Sequence, residues 1–176
     1  MDKSGHTDAV LLPVLTWNIE GFKRNCFNLQ YFVDKFNPAL IFLSEPQLFN
    51  CDLSTTFSMF AGSFSCNLNS EDIMCPDLPT ISRSAKGGTM IMWRTELSPY
   101  VKVLPTTSPA VLPIILSVPG LARSAHIALY LPTHGKDSEF VSALAALESC
   151  MLSITEEYSC PIYMRGDCNV NPSNTN

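Results

Sequence analysis

The stretch that decides the fold is residues 9–44, AVLLPVLTWNIEGFKRNCFNLQYFVDKFNPALIFLS. Its opening, residues 9–17, is short, apolar and rich in β-forming residues, which predicts a strand. Residues 26–36 carry a mostly apolar face at helical spacing, and Asn25 is the predicted cap of that helix. Residues 39–44 form a continuous apolar run, which is typical of a buried strand. A strand, a helix and a second strand in this order predict a βαβ unit with two adjacent parallel strands.

The remainder of the chain alternates apolar runs with polar breaks. Residues 63–85 are rich in Ser, Asn, Asp and Pro, which predicts a long loop. Apolar residues at helical spacing predict an amphipathic helix over 138–157, capped by Asp137 or Ser138. Short apolar runs between turn residues predict further strands at residues 88–93, 110–118, 124–131 and 161–165. Because strands outnumber helices and hairpins mix with βα units, the predicted fold class is α/β (α+β), with two mixed β-sheets flanked by helices.

The composition predicts a single domain over residues 1–176, in which residues 1–9 are a polar tail. Hydrophobic residues make up 46% of the chain and charged residues only 15%, so we expect much of it to lie in a core. The net charge is -5, which argues against a protein that coats duplex DNA, because such proteins carry a basic patch. The same negative charge is compatible with a metal-dependent enzyme, because the metal site of such an enzyme needs carboxylates.

The seven cysteines include no C-x-x-C pair, so a zinc knuckle is not expected. The first residues, MDKSGHTD, are polar, and the apolar run after them is too short for a signal peptide. No apolar stretch approaches the roughly 18–20 residues that a membrane span needs. We therefore expect free thiols, an intracellular location in the nucleus or cytoplasm rather than secretion, and no membrane partner.

Polar side chains follow four of the predicted strands, and they form an ordered set along the chain: Asn18 and Glu20, then Glu45, then Tyr130, and finally Asp167 with Asn169. In layered α/β folds, ligands gather where strand ends converge. Each residue also has a purely structural reading when it is taken alone. Glu45 fits a solvated loop, Asn18 fits a turn, and Tyr130 fits a core position with its hydroxyl at the rim. The prediction of a shared site therefore depends on the whole set.

These residue types suit the hydrolysis of a phosphodiester, which needs a hard cation, a positioned water and a stabilised leaving group. Glu45 suits Mg²⁺, an ion that takes few protein ligands and keeps several waters. Asp167 can orient or deprotonate the attacking water, and Tyr130 can donate to a developing oxyanion. Asn18 and Asn169 can donate hydrogen bonds to phosphate without adding negative charge.

Five motifs carry a resemblance to a known superfamily: TWNIEGF (16–22), IFLSEP (41–46), KGGTMIMW (86–93), ALYLPTHGKD (128–137) and RGDCNVNPSN (165–174). In this order they resemble the motifs of the endonuclease/exonuclease/phosphatase superfamily, which includes DNase I-like enzymes and abasic-site endonucleases. The amino-acid sequences of the last two motifs are most similar to the endonuclease domains of LINE-type non-LTR retrotransposons. The resemblance covers residues 14–174.

The resemblance implies a DNase I-like, four-layer sandwich and a Mg²⁺-dependent DNA endonuclease, with Mn²⁺ as the alternative ion. It implies that Glu45 binds the metal and that Asn18 supports the network around it. Tyr130 would face the scissile phosphate, Asp167 would activate the water or protonate the leaving group, and Asn169 would orient the phosphate. The implied partner is the DNA phosphodiester backbone, bound transiently.

The match has one gap, because the family's final Ser-Asp-His motif has no counterpart before Asn176. We therefore expect a fold that is incomplete at the C-terminus and little nuclease activity. His134 lies near Tyr130 in sequence and is the candidate substitute for the missing histidine, although we expect it not to act as one. Two alternatives stay open: another phosphoesterase of this fold, such as a phosphoinositide phosphatase, sphingomyelinase or deadenylase, or an inactive remnant that only binds. Cys168 is expected to be a buried, unreactive thiol.

Overall fold

The computed structural model describes residues 12–49, 53–70, 87–132 and 136–169. Residues 1–11, with the predicted tail and the start of the first predicted strand, lie outside these ranges, as do His134 and most of the predicted loop. The elements run in the order β1 (Val14–Asn18), α1 (Phe22–Phe36), β2 (Leu40–Ser44), α2 (Leu53–Thr56), β3 (Phe64–Asn69), β4 (Thr89–Arg94), a 3-10 helix (Thr95–Tyr100), β5 (Val101–Val103), β6 (Val111–Leu116), β7 (Ser124–Tyr130), α3 (Asp137–Tyr158) and β8 (Ile162–Asp167).

The opening βαβ unit forms as the sequence predicts, with β1 and β2 paired in parallel. The helix between them starts earlier than predicted, at Phe22, directly after Gly21. Asn25 is therefore not the cap, and its side-chain Nδ2 instead donates to the carbonyl of Ile19 at 2.7 Å from inside the first turn. At the other end, Asn37 adopts a left-handed conformation and closes the helix with a backbone bond to Val33.

The strands form two four-stranded mixed sheets, and each sheet is built from one continuous part of the chain. The first sheet has the order β1-β2-β4-β3, in which β4 runs antiparallel to both of its neighbours. The second sheet has the order β5-β6-β7-β8, in which β8 is parallel to β7 because α3 carries the chain back between them. The predicted fold class is confirmed.

Three apolar clusters make the molecule a four-layer sandwich. The outer face of the first sheet packs against α1 through Phe22, Leu29, Val33, Ile41 and Leu43. The two sheets pack face to face through Phe42, Ile91, Leu112, Ile114 and Ala128. The outer face of the second sheet packs against α3 through Ile127, Leu129, Ala143, Ala146 and Ile154. Alternate residues of β2 thus serve different layers, which explains why all five of its residues are buried.

Two local expectations were wrong. Residues 64–69, FSCNLN, form β3 within the predicted loop, because Phe64 and Leu68 alternate with polar residues and bury one face at the sheet edge. The long helix α3 begins at Asp137 after Lys136, and no side chain caps it, so neither Asp137 nor Ser138 is its cap.

The helix α3 also corrects the expectation about apolar stretches, because it is long and apolar enough to cross a membrane by length and composition alone. In the fold, one of its faces packs on the second sheet. Its other face leaves Val141, Leu144 and Leu152 exposed.

Candidate active site

The candidate residues meet at one rim of the sandwich, where β1, β2, β7 and β8 end. The side-chain Nδ2 of Asn18 donates to Glu45 Oε1 at 3.1 Å and to Asp167 Oδ2 at 3.0 Å. Glu45 follows the first sheet and Asp167 ends the second, so one amide group bridges carboxylates from both sheets. An amide can do this because it has two N–H donors and adds no charge.

Glu45 is held by its backbone. It adopts a left-handed conformation with φ 53, which is uncommon for a residue other than glycine. Its N–H donates to the carbonyl of Gly88 at 3.1 Å, and its carbonyl accepts from the N–H of Gly21 at 2.9 Å. These two bonds tie the turn after β2 to the turns beside it, and they direct the carboxylate toward Asn18.

Tyr130 ends β7 with its ring partly buried, and its phenol lies close to the Glu45 carboxylate. Burial raises the pKa of Tyr130 to about 12, and the negative charges of Glu45, Asp167 and Glu139 add to that rise. The phenol is therefore a proton donor throughout the neutral range. Gly87 makes room for the ring, because a Cβ at this position, where φ is +61, would lie 3.1 Å from Tyr130 Cε1.

Asp167 has both carboxylate oxygens engaged. The backbone N–H of Asn169 donates to Asp167 Oδ1 at 2.9 Å, while Oδ2 accepts from Asn18. The side chain of Asn169 turns back and donates to the carbonyl of Leu131 at 2.7 Å. Gly166 permits this close pairing of β8 with β7, because a Cβ there would lie 1.8 Å from the carbonyl oxygen of Leu129.

The structure thus brings together all five predicted site residues. The other candidates, Glu20, His134 and Cys168, are not shown to belong to this site. Glu20 contributes its backbone N–H to Asn18 Oδ1 at 3.3 Å, while its carboxylate is exposed and lies 3.8 Å from the guanidinium of Arg24. His134 lies outside the described residues. Cys168 is exposed, so the expectation of a buried thiol was wrong; the chain leaves the sheet at this residue.

Gly87 and Gly166 support the site, and sequence reasoning gave neither of them a role. The signal that could have found Gly166 is its position directly before an acidic residue at the end of a strand. A glycine inside a strand often marks a close approach of two backbones. Gly87 could have been found in the same way, from its place in a glycine pair that leads into β4.

The donor set suits a hard divalent cation. Glu45 and Asp167 offer carboxylate oxygens on one side of the rim, joined through Asn18. No group of three His, Cys, Asp or Glu residues with metal-binding geometry occurs within the described residues. Mg²⁺ fits such a sparse set, because it is commonly held by one or two carboxylates together with waters and substrate phosphate, whereas structural zinc needs four protein ligands.

No family model matches the sequence, and no curated protein sequence matches it either. Solved structures do match the fold. The 3' phosphatase NExo from Neisseria, bound to a product DNA hairpin, is 16% identical, with a TM-score of 0.62 over 93% of this chain and 60% of that one. A humanized D. rerio TDP2 is 19% identical, with a TM-score of 0.58 over 92% of this chain and 68% of that one.

A third match is ANGEL2, a 2',3'-cyclic phosphatase, which is 14% identical with a TM-score of 0.60 over 90% of this chain and 53% of that one. This chain therefore spans between 53% and 68% of the length of the three structures. All three share the two-sheet architecture described above. The chain has a DNase I-like fold.

Proposed function

We propose that the rim is the catalytic site of a divalent-metal-dependent phosphoesterase that hydrolyses DNA phosphodiester bonds. The observation that carries the proposal is the bridge from Asn18 to Glu45 and Asp167, because it brings one carboxylate from each sheet to a single point. A phosphoryl group bound there would meet carboxylate oxygens that can hold a cation, and the Tyr130 phenol as a hydrogen-bond donor.

Each residue has a role in this proposal. Glu45 would hold a divalent cation, Mg²⁺ or Mn²⁺, which as a Lewis acid would offset negative charge on the phosphate oxygens. Tyr130 remains protonated at neutral pH and donates to a non-bridging phosphate oxygen. Asp167 accepts a proton from the attacking water or returns one to the leaving oxygen. Asn18 keeps the two carboxylates apart, and Asn169 fixes the orientation of Asp167.

DNA is the favoured substrate for two reasons. NExo is described with a bound product DNA hairpin, so a protein of this fold accommodates DNA at its surface. The sequence motifs at residues 128–137 and 165–174 resemble those of LINE-type endonucleases. We propose this subtype on that resemblance alone. The net charge of -5 suits transient contact with the DNA backbone rather than tight coating.

A second candidate is a phosphatase that acts on a terminal or cyclic phosphate. The similarity to ANGEL2, which is described as a 2',3'-cyclic phosphatase, favours this alternative. The same rim would serve both reactions, since both place charge on phosphate oxygens. The loops around the site decide the substrate, and a fold does not determine a function.

The test is single-turnover cleavage with enzyme in excess over two substrates, a supercoiled plasmid and a short oligonucleotide that ends in a 2',3'-cyclic phosphate. With the enzyme in excess, we expect slow cleavage with Mg²⁺ or Mn²⁺, in keeping with the little activity expected from the sequence, and none with EDTA. Asp167→Asn and Glu45→Gln should each slow cleavage by about 10²-fold or more. Glu20→Gln is the matched control, because it removes a nearby exposed carboxylate, and its rate should equal that of the wild type.

Cleavage that survives EDTA, or that is equally fast in Asp167→Asn, would refute the proposal. The choice of substrate decides between the two candidates. Nicking of the plasmid supports an endonuclease, whereas release of the cyclic phosphate alone supports the phosphatase. Calorimetric titration with Mg²⁺ provides a readout without turnover, since Glu45→Gln should weaken binding and Glu20→Gln should not.

A further inference from the structure

A row of four polar residues crosses the whole first sheet at the rim. Asn18 of β1 pairs in register with Ser44 of β2, Ser44 with Thr89 of β4, and Thr89 with Asn69 of β3. Directly paired residues lie on the same face of a sheet. We call these four residues the polar row, and they all face the second sheet.

Every member of the polar row donates a side-chain hydrogen bond across the layer between the sheets. The acceptors lie in the second sheet or in the loop that leads into β6: Leu129 O for Ser44 Oγ (3.3 Å), Pro109 O for Thr89 Oγ1 (3.1 Å), Ser108 O and Val111 O for Asn69 Nδ2 (2.7 and 3.0 Å), and Asp167 Oδ2 for Asn18 Nδ2 (3.0 Å). The row therefore joins the two sheets along the full width of the rim.

The rest of this layer is mostly apolar. Phe42 of β2 lies two residues from Ser44 on the same face, and Ile91 of β4 lies two residues from Thr89. Both belong to the apolar cluster between the sheets. Ser44 and Thr89 are only 2% and 0% exposed, so their hydroxyls are hydrogen-bonded where water cannot reach them. Apolar contact has no preferred direction, whereas a hydrogen bond specifies both distance and angle.

We propose that Ser44, Thr89 and Asn69 are positioning residues that set the separation and register of the two sheets at the rim. Ser44 is the clearest case, because it precedes Glu45 in the chain and bonds to the carbonyl of Leu129, which precedes Tyr130. One hydrogen bond thus sets the spacing between two site residues on different sheets. The inference rests on the proposed function for its catalytic consequence, but its structural part can be tested separately.

The structural test is amide hydrogen exchange measured by NMR on the full chain. Thr89→Val keeps the shape of the side chain and removes the hydroxyl, while Thr89→Ser keeps the hydroxyl. Ser65→Ala is the matched control, because Ser65 lies on the same face at the far end of the first sheet and bonds to Ser98 at 2.9 Å instead of to the second sheet.

In Thr89→Val and Ser44→Ala we expect the rim amides to exchange about tenfold faster. The reporters are the N–H groups of Tyr130 and Leu131, which bond to Ala110 O and Asp167 O. The N–H of Arg94, which bonds to Ala39 O at the opposite end, should keep its rate. Thr89→Ser and Ser65→Ala should leave the rim unchanged. Equal acceleration at both ends, or none at the rim, would overturn the inference.

The catalytic test uses the same variants. Ser44→Ala and Thr89→Val should lower kcat or Mg²⁺ affinity by about tenfold at an unchanged KM, since residues that orient metal-site groups typically contribute on this scale. Thr89→Ser should restore the wild-type value. If the wild type neither binds Mg²⁺ nor cleaves, the proposed function fails and hydrogen exchange alone decides the role of the row. If the wild type cleaves and Thr89→Val cleaves equally well, the positioning role fails.

Discussion

The two strands that lead to the site carboxylates, β2 and β8, occupy opposite situations in their sheets. β2 pairs with β1 on one side and β4 on the other, and all five of its residues are buried. In the part of the chain that the structure describes, β8 pairs with β7 alone, and its residues Tyr163 and Met164 are 48% and 51% exposed. Glu45 is thus anchored by a central strand, whereas Asp167 depends on an edge strand.

This difference shows how an edge strand can still present a well-placed side chain. Among the described strands, β8 pairs with β7 on one side and with no strand on the other. Asp167 is nevertheless held by Asn18 from the first sheet and by Asn169 from the next turn. Further along β8, Arg165 donates to His126 Nδ1 at 2.8 Å and lies over the ring of Phe42. Specific side-chain contacts therefore hold the end of β8, where no second described strand pairs with it.

The largest effect is expected on the central strand. Leu43→Ala removes a fully buried side chain from β2 and leaves a cavity, so it should lower the free energy of unfolding by about 2–5 kcal/mol. Urea denaturation followed by circular dichroism measures this loss. A loss below about 1 kcal/mol would mean that β2 is not the rigid half of the site.

The next effect is a pH dependence at the contact between β7 and β8. Burial, together with the charge of Arg165, lowers the pKa of His126 from 6.5 to about 4. Between these two values the unfolded chain binds a proton that the folded chain does not. The contribution of His126 to the free energy of unfolding is therefore fully present above pH 6.5. It falls by about 3 kcal/mol as the pH drops toward 4.

The control for that prediction is His126→Gln, which keeps a side-chain acceptor for Arg165 but does not titrate. Urea denaturation at pH 7 and pH 4 should show a clearly smaller loss in this variant than in the wild type. If both proteins lost the same stability, the pH dependence would come from other groups and His126 would not contribute.

A smaller and more local effect is expected at Gly166. A methyl group there would meet the carbonyl oxygen of Leu129, and φ of +146 already excludes most side chains. Gly166→Ala should cost about 1–3 kcal/mol and should accelerate hydrogen exchange at Leu131, whose N–H bonds to Asp167 O. Gly62→Ala is the matched control, because nothing lies within 4 Å of its Cβ position. Equal effects of the two substitutions would contradict the close-approach argument.

The smallest effect is expected at the exposed face of β8. Met164→Ala removes a half-exposed side chain, so thermal and urea denaturation should show a change within about 0.5 kcal/mol. A loss comparable to that of Leu43→Ala would show that β8 is covered in solution by something that packs on Met164, and the contrast between the two strands would then disappear.

The sequence predicted the fold class and the meeting of the site residues because both depend on strong local patterns. Continuous apolar runs mark buried strands such as β2, and parallel pairing brings their ends to one rim. It failed for β3, because an edge strand with one polar face has the composition of a loop. It also failed at the start of α1, where Gly21 begins the helix and no side chain caps it.

The contacts between the sheets could not be predicted from local patterns. Alternation shows which face of a strand is polar, but not which residue of the other sheet lies opposite. The Ser44 hydroxyl and its acceptor at Leu129 are 85 residues apart in the chain. The predicted phosphate-facing role of Asn18 likewise gave no hint that its amide would join two carboxylates.

The arrangement of each sheet in one continuous part of the chain has a consequence during protein synthesis. All the strands of the first sheet have been made once Arg94 is added, and every strand of the second sheet comes later. Asn18 and its partner Asp167 are 149 residues apart. At roughly 5–20 residues per second, a ribosome adds Asp167 about seven to thirty seconds after Asn18. Until Asp167 is added, the nascent chain carries Asn18 and, once it has been made, Glu45 without the carboxylate that the second sheet supplies to the rim.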